Sequence, residues 1–150
     1  MSTKFHLIIL INLFIVACAS GSMEFRSAKT KARIEKDLNQ AEEYGLKALK
    51  LDVESNNALV PYFLAIEIYR PKEDWMKMSE MLEEALKRNP SQKLENPIIL
   101  DGSIIHTVSE AVELYREEEW GKLYNKCVDF FQTGDYDSAI ENLKIAIAIN

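Results

Sequence analysis

One pattern occurs three times in this chain, and any fold it adopts must satisfy all three copies. Asp37-Leu38 is followed by Ala41 and Ala48, then Leu49-Lys50-Leu51-Asp52. Asp74-Trp75 is followed by Met78 and Ala85, then Leu86-Lys87-Arg88-Asn89-Pro90. Asp135-Tyr136 is followed by Ala139 and Ala146, then Ile147-Ala148-Ile149-Asn150. Each copy reads as a polar turn, a bulky residue and a helix with small or slender residues seven apart. That interval is two helical turns, so both residues lie on one face, where small side chains let a neighbouring helix approach closely. Before the second turn Tyr62, Ala65, Ile66 and Tyr69 recur at helical spacing, and before the third Leu123, Tyr124, Cys127, Val128 and Phe130 do the same. The chain is therefore expected to be all-α and built from helix pairs.

The copies are unevenly spaced. Asp37 to Asp74 is 37 residues and Asp74 to Asp135 is 61, which leaves roughly 27 beyond one ~34-residue helix–turn–helix unit. The surplus reads as an insertion. Its first part, Ser91-Gln92-Lys93-Leu94-Glu95-Asn96-Pro97, has the composition of a loop. After Asp101-Gly102, Ser103 is the expected N-cap of a helix with Ile104, Ile105, Val108, Ala111, Val112 and Tyr115 on one stripe. Only Gly121 interrupts the path from there into the third unit, at ~1 kcal/mol in a helix, so one long helix is expected rather than two.

Gly134-Asp135-Tyr136-Asp137-Ser138-Ala139-Ile140 with Ala146 resembles the tetratricopeptide repeat, and the second copy resembles it through Tyr62, Ala65, Trp75, Ala85 and the closing Pro90. The first copy is worn: its turn lacks glycine, Gly45 stands where a bulky residue is usual, and Val53 replaces the proline. Lys126, Cys127 and Met78 also depart from the usual residues. The resemblance implies helical hairpins in a right-handed superhelix, with repeats at about 29–55, 59–92 and 120–150 and the insertion at 93–119. It implies Trp75 and Tyr136 as buried wedges, with Ala139 and Ala146 at close helix contacts. It also implies a concave groove on the first helix of each pair, which holds a protein or peptide partner. Counting back from the turn aspartates, Phe63, Glu67 and Arg70 correspond to Tyr124, Val128 and Phe131 as the groove-lining set. The asparagine and lysine set with which some members hold a peptide's terminal carboxylate is not recognisable. An alternative for the third trio is that Ile104, Ile105 and Val108 fold over it as ordinary core.

The start of the chain reads differently. Lys4 is followed by an apolar run from Leu7 to Ala17, broken only by Asn12, and then by Cys18-Ala19-Ser20-Gly21-Ser22. A basic start, a short apolar middle and a small-residue exit are the parts of a secretory signal peptide. As a helix, residues 5–19 would reach about 22 Å, short of the roughly 30 Å hydrocarbon core. Ala17-Cys18-Ala19 suits ordinary cleavage after Ala19. Ile15-Val16-Ala17-Cys18 also resembles the lipobox of bacterial lipoproteins, which implies a leader over 1–17 and diacylglyceryl and acyl chains on Cys18. Two or more such chains make a stable anchor. Residues 18–28 are then expected as a polar tether with ~15–20 Å of reach. By the sorting rules of the lipoproteins it resembles, the absence of aspartate after the cysteine implies the outer membrane.

Without residues 1–17 the formal charge moves from -6 to -7, since Lys4 is the one charged side chain lost. That balance argues against nucleic acid and against adhesion to anionic headgroups. Hydrophobic residues at 47%, with five glycines and four prolines, describe a packed domain. Once Cys18 is modified, Cys127 has no intramolecular partner for a disulfide. One imidazole and one thiol cannot build a four-ligand zinc site, and no cofactor is implied. The charge run Glu117-Glu118-Glu119 reads as a solvated helix face. No catalytic residues are assigned: a hydrolase using His106 would need an acidic residue beside it in space.

The expected function is that of a lipid-anchored, periplasm-facing envelope protein that binds other proteins or peptides, the alternative being a secreted form of the same module. Ile140, Leu143, Ile145, Ile147 and Ile149 fall around most of the last helix. Terminal repeats need a polar outer face to stay soluble, so further repeats, a partner or a second copy of the chain is expected against that helix.

Overall fold

A computed structural model describes residues 21–149. The leader and Cys18 lie outside the described residues. Helix α1 (Met23–Thr30) runs on into a wider π-helical turn, Lys31–Glu35, that shares the name α1, and is followed by α2 (Leu38–Leu49). Helix α3 (Leu59–Phe63) likewise continues as a π-helical stretch, Leu64–Tyr69, that ends at Arg70 and shares the name α3, before α4 (Trp75–Arg88). A hairpin of β1 (Lys93–Leu100) and β2 (Ser103–Thr107) comes next, then α5 (Val108–Thr133) and α6 (Tyr136–Ile149). Consecutive helices pack as three pairs, α1 with α2, α3 with α4 and α5 with α6. The fold is mostly helical with one small two-stranded sheet.

The three turns inside the pairs are built alike. Lys36, Glu73 and Gly134 each take positive φ, at 59°, 54° and 83°. The next residue is an aspartate whose N–H reaches back across the turn, Asp37 to Lys31 O at 2.9 Å, Asp74 to Tyr69 O at 3.0 Å and Asp135 to Phe130 O at 2.9 Å. Each aspartate side chain then accepts from the first turn of the next helix, from Gln40 N at 2.9 Å, Lys77 N at 3.3 Å and Ser138 N at 3.2 Å. This satisfies N–H groups that a helix start leaves without partners. Hydrogen bonds from Gln40 N–H and Ser138 hold the Asp37 and Asp135 carboxyls below the usual range. Only the third copy has glycine at the left-handed position, which costs other residues about 1–2 kcal/mol. Glu73→Gly is therefore expected to raise the unfolding free energy by about 1 kcal/mol, after the extra chain entropy of glycine. A higher urea midpoint at unchanged slope checks this.

The small residues do what their spacing predicts. Ala41, Gly45 and Ala48 are buried on α2, Met78 and Ala85 on α4, and Ala139 and Ala146 on α6. Gly45, where the repeat pattern would place a bulky residue, faces Leu64 of α3. A Cβ on Gly45 would sit 2.6 Å from Leu64 Cδ2, so the glycine is what lets α2 and α3 approach.

Three expectations are corrected. The segment read as a tether is helical from Met23 and buries Phe25 and Ala28. It is anchored because the Ser22 N–H donates to the buried Glu54 carboxylate, which also accepts from Asn57 Nδ2 at 2.6 Å. The insertion does not begin with a loop and a helix from Ser103. Asp101 and Gly102, with φ of 47° and 81°, form a two-residue turn of the kind that matches strand twist, and Ile98 and Ile99 pair with Ile105 and Ile104. The true N-cap is Thr107, whose hydroxyl accepts from Glu110 N–H while the Glu110 carboxylate accepts from Thr107 N–H, a capping box. From there α5 does run unbroken through Gly121. Finally, Trp75 is only half-buried and Tyr136 is 58% exposed. Tyr136 opens α6 on the face of Ile140, Leu143 and Ile147, away from Ala139 and Ala146.

Candidate functional site

The six residues expected to line one groove are divided among different surroundings. Phe63 is 2% exposed, because α1 covers it: the Phe25 ring stands edge-on to it with centroids 5.7 Å apart. Glu67 holds Arg33 of α1 through Nη2 at 2.6 Å and Nε at 2.9 Å. That hydrogen bond, with the Glu67 charge, raises the guanidinium's pKa above its ordinary value despite partial burial. Arg70 leads away from this contact toward α5. Its Nε donates to Glu119 at 2.7 Å and its Nη2 to Glu118 at 2.9 Å, and the guanidinium lies 4.7 Å from the Tyr115 ring centroid. Burial works against the Arg70 charge, but Glu119 and Glu118 outweigh it and raise the pKa. The phases i, i+4 and i+7 share a face only in an α-helix, whereas Leu64–Tyr69 is π-helical, and Glu67 meets α1 while Arg70 meets α5. Periodicity alone could show neither the wider turn nor the cover from α1 and α5.

The third unit's trio is open. Tyr124 is exposed and stacks on Trp120, 5.2 Å centroid to centroid with planes 10° apart. Val128 is half-buried. Phe131 is 63% exposed and meets the Tyr136 ring at 5.4 Å. Along α6, Tyr136, Ile140, Leu143 and Ile147 continue the exposed apolar surface on one face, with Ile147 at 67%. The alternative in which the insertion covers this trio does not hold, because Ile104 is itself exposed on the hairpin and Val108 is buried at the start of α5. Trp120 and Tyr136 extend the trio, and the i, i+4, i+11 spacing of Trp120, Tyr124 and Phe131 was the signal for it.

Two recesses flank α3. The larger, about 660 Å³, lies between its C-terminal end and α5 and is lined by Ile66, Arg70, Trp75, Leu123 and Lys126 among others. The smaller, about 230 Å³, lies under the hairpin and includes Phe25, Tyr62, Phe63, Ile98 and Tyr115. His106 is exposed on β2. The carboxylate beside it, Glu110, accepts from the His106 backbone N–H at 2.9 Å, so that acid serves the helix cap. Among the described residues no helix is long and apolar enough to cross a membrane. Compared with protein-family models and with curated proteins, the sequence finds no match.

Proposed function

We propose that this is a lipid-anchored protein of a bacterial envelope, held at Cys18, that binds another protein through the last of a set of tetratricopeptide-like helical hairpins. The observation that carries the binding role is the aromatic and aliphatic surface shared by α5 and α6. Trp120, Tyr124, Phe131, Tyr136, Ile140, Leu143 and Ile147 are all exposed there, and large apolar side chains exposed together on neighbouring helices mark interaction sites. Aromatic side chains are also over-represented among the residues that dominate binding energy. The repeat reading is supported by the recurring turn at Lys36-Asp37, Glu73-Asp74 and Gly134-Asp135 and by the buried small residues at matching offsets. Anchoring rests on the lipobox-like Ile15-Val16-Ala17-Cys18.

The combined variant Tyr124→Ser, Phe131→Ser, Ile147→Ser tests the surface. These side chains are exposed, so the melting temperature is expected to stay within a few degrees while one protein captured by the wild type from membranes is lost. The same proteins captured at the same yield would refute the assignment. Labelled palmitate is expected on the wild type and absent from Cys18→Ser, and an unlabelled wild type would refute the anchor.

A further inference from the structure

The strand β1 does not pair along its whole length. Lys93 faces Thr107 and Ile98 faces Ile105, so Leu94, Glu95, Asn96 and Pro97 stand opposite His106 alone. Pro97 has no N–H to donate, which suits it to such a bulge. The bulge is fastened to α1 instead of β2. Glu95 binds Lys29 Nζ at 2.5 Å and Arg33 Nη1 at 3.5 Å, and Arg33 passes on to Glu67 of α3 at 2.6 Å. The bulge thus arches across the gap between α1 and α3, with the cavity of about 230 Å³ beneath it.

The wall and the mouth of this cavity differ in chemistry. Aromatic rings from three helices, Phe25, Tyr62, Phe63 and Tyr115, line it together with Leu94 and Ile98. Tyr62 and Tyr115 stand 6.4 Å apart, and burial pushes the Tyr62 phenol well above its ordinary pKa, so this wall carries no charge. The charged groups that line the cavity, Arg33, Glu67 and Glu95, are already paired, Arg33 with Glu67 and Glu95 and Glu95 also with Lys29, so an ionic ligand would have to displace one of these partners. Asn96 sits at the rim and supplies an uncharged donor and acceptor. Apolar cavities of about 150 Å³ take benzene, so one ring with a substituent fits here.

We propose that the cavity between α1, α3 and the β1 bulge is a binding site for a small neutral molecule built on one aromatic ring, with a single hydrogen-bonding group toward Asn96. The test is a nitrogen-15 NMR titration of the protein with benzyl alcohol, against benzoate and benzylammonium as counterparts of the same size. Benzyl alcohol is expected to give saturating shifts at the amides of Phe25, Tyr62, Leu94 and Ile98, with a millimolar or tighter constant. The charged counterparts are expected to bind about tenfold more weakly, because each brings an uncompensated charge to an apolar wall. Ile98→Trp fills the cavity from the half-buried strand side and is expected to abolish the shifts. Leu59→Phe fills it from α3 and serves should the tryptophan variant melt early. Shifts that do not saturate, that fall elsewhere on the protein, that survive a folded filling variant, or that the charged ligands match would each overturn the site.

Discussion

Phe25→Ala is expected to lower the unfolding free energy by about 3–5 kcal/mol, the range for truncating a buried aromatic side chain. Phe25 is 2% exposed, lies edge-on to Phe63 and carries the Lys29 ammonium 4.5 Å above its ring. Its removal takes apolar area out of the core and one interaction from each of those partners. It also enlarges the neighbouring cavity, which places the cost toward the upper end, because a site already bordered by open space collapses little. Urea unfolding followed by circular dichroism measures it. A change below about 1 kcal/mol would mean that residues 23–30 are the tether their composition suggests and not part of the core.

Arg70→Met is expected to cost about 3 kcal/mol. Glu119 is 3% exposed and depends on Arg70 at 2.7 Å and Lys122 at 2.9 Å. Taking away one partner of a buried ion pair leaves its charge under-compensated, typically at about 3–5 kcal/mol. The remaining Lys122 contact places this case at the low end. Arg70→Met with Glu119→Leu is expected to be more stable than Arg70→Met alone, because an apolar pair of similar volume needs no compensating charge. A double-mutant cycle separates this coupling from lost packing over Tyr115. Losses that simply add would show that the pair contributes no specific link between α3 and α5.

The helical hairpins were legible because they depend on local rules. Aspartate caps, small residues two turns apart and a proline after Arg88 each act within one helix or its nearest neighbour. The β-hairpin was legible too, in Asp101-Gly102 between Ile98-Ile99-Leu100 and Ile104-Ile105, and the cap in Thr107-Val108-Ser109-Glu110. A helical period laid across residues 104–115 obscured both, since Ile104, Ile105 and Val108 satisfy it by coincidence. The π-helical turns at Lys31–Glu35 and Leu64–Tyr69 left no comparable mark.

The candidate site divides along the same line. From sequence alone, Tyr124 and Phe131 could be placed on one face of α5, while Phe63, Glu67 and Arg70 were expected on one face of a helix that is π-helical over Leu64–Tyr69. Which of those faces is open to a partner depends on what packs against it from far along the chain. Phe25 lies 38 residues before Phe63 and Glu119 lies 49 after Arg70, and no local periodicity encodes either encounter. The sequence determined the helices that follow the three turn aspartates, the turns themselves and the faces on which their small side chains fall. Only the tertiary structure decided which faces are covered, because burial is a property of the whole packed chain while helical phase is set within a few residues.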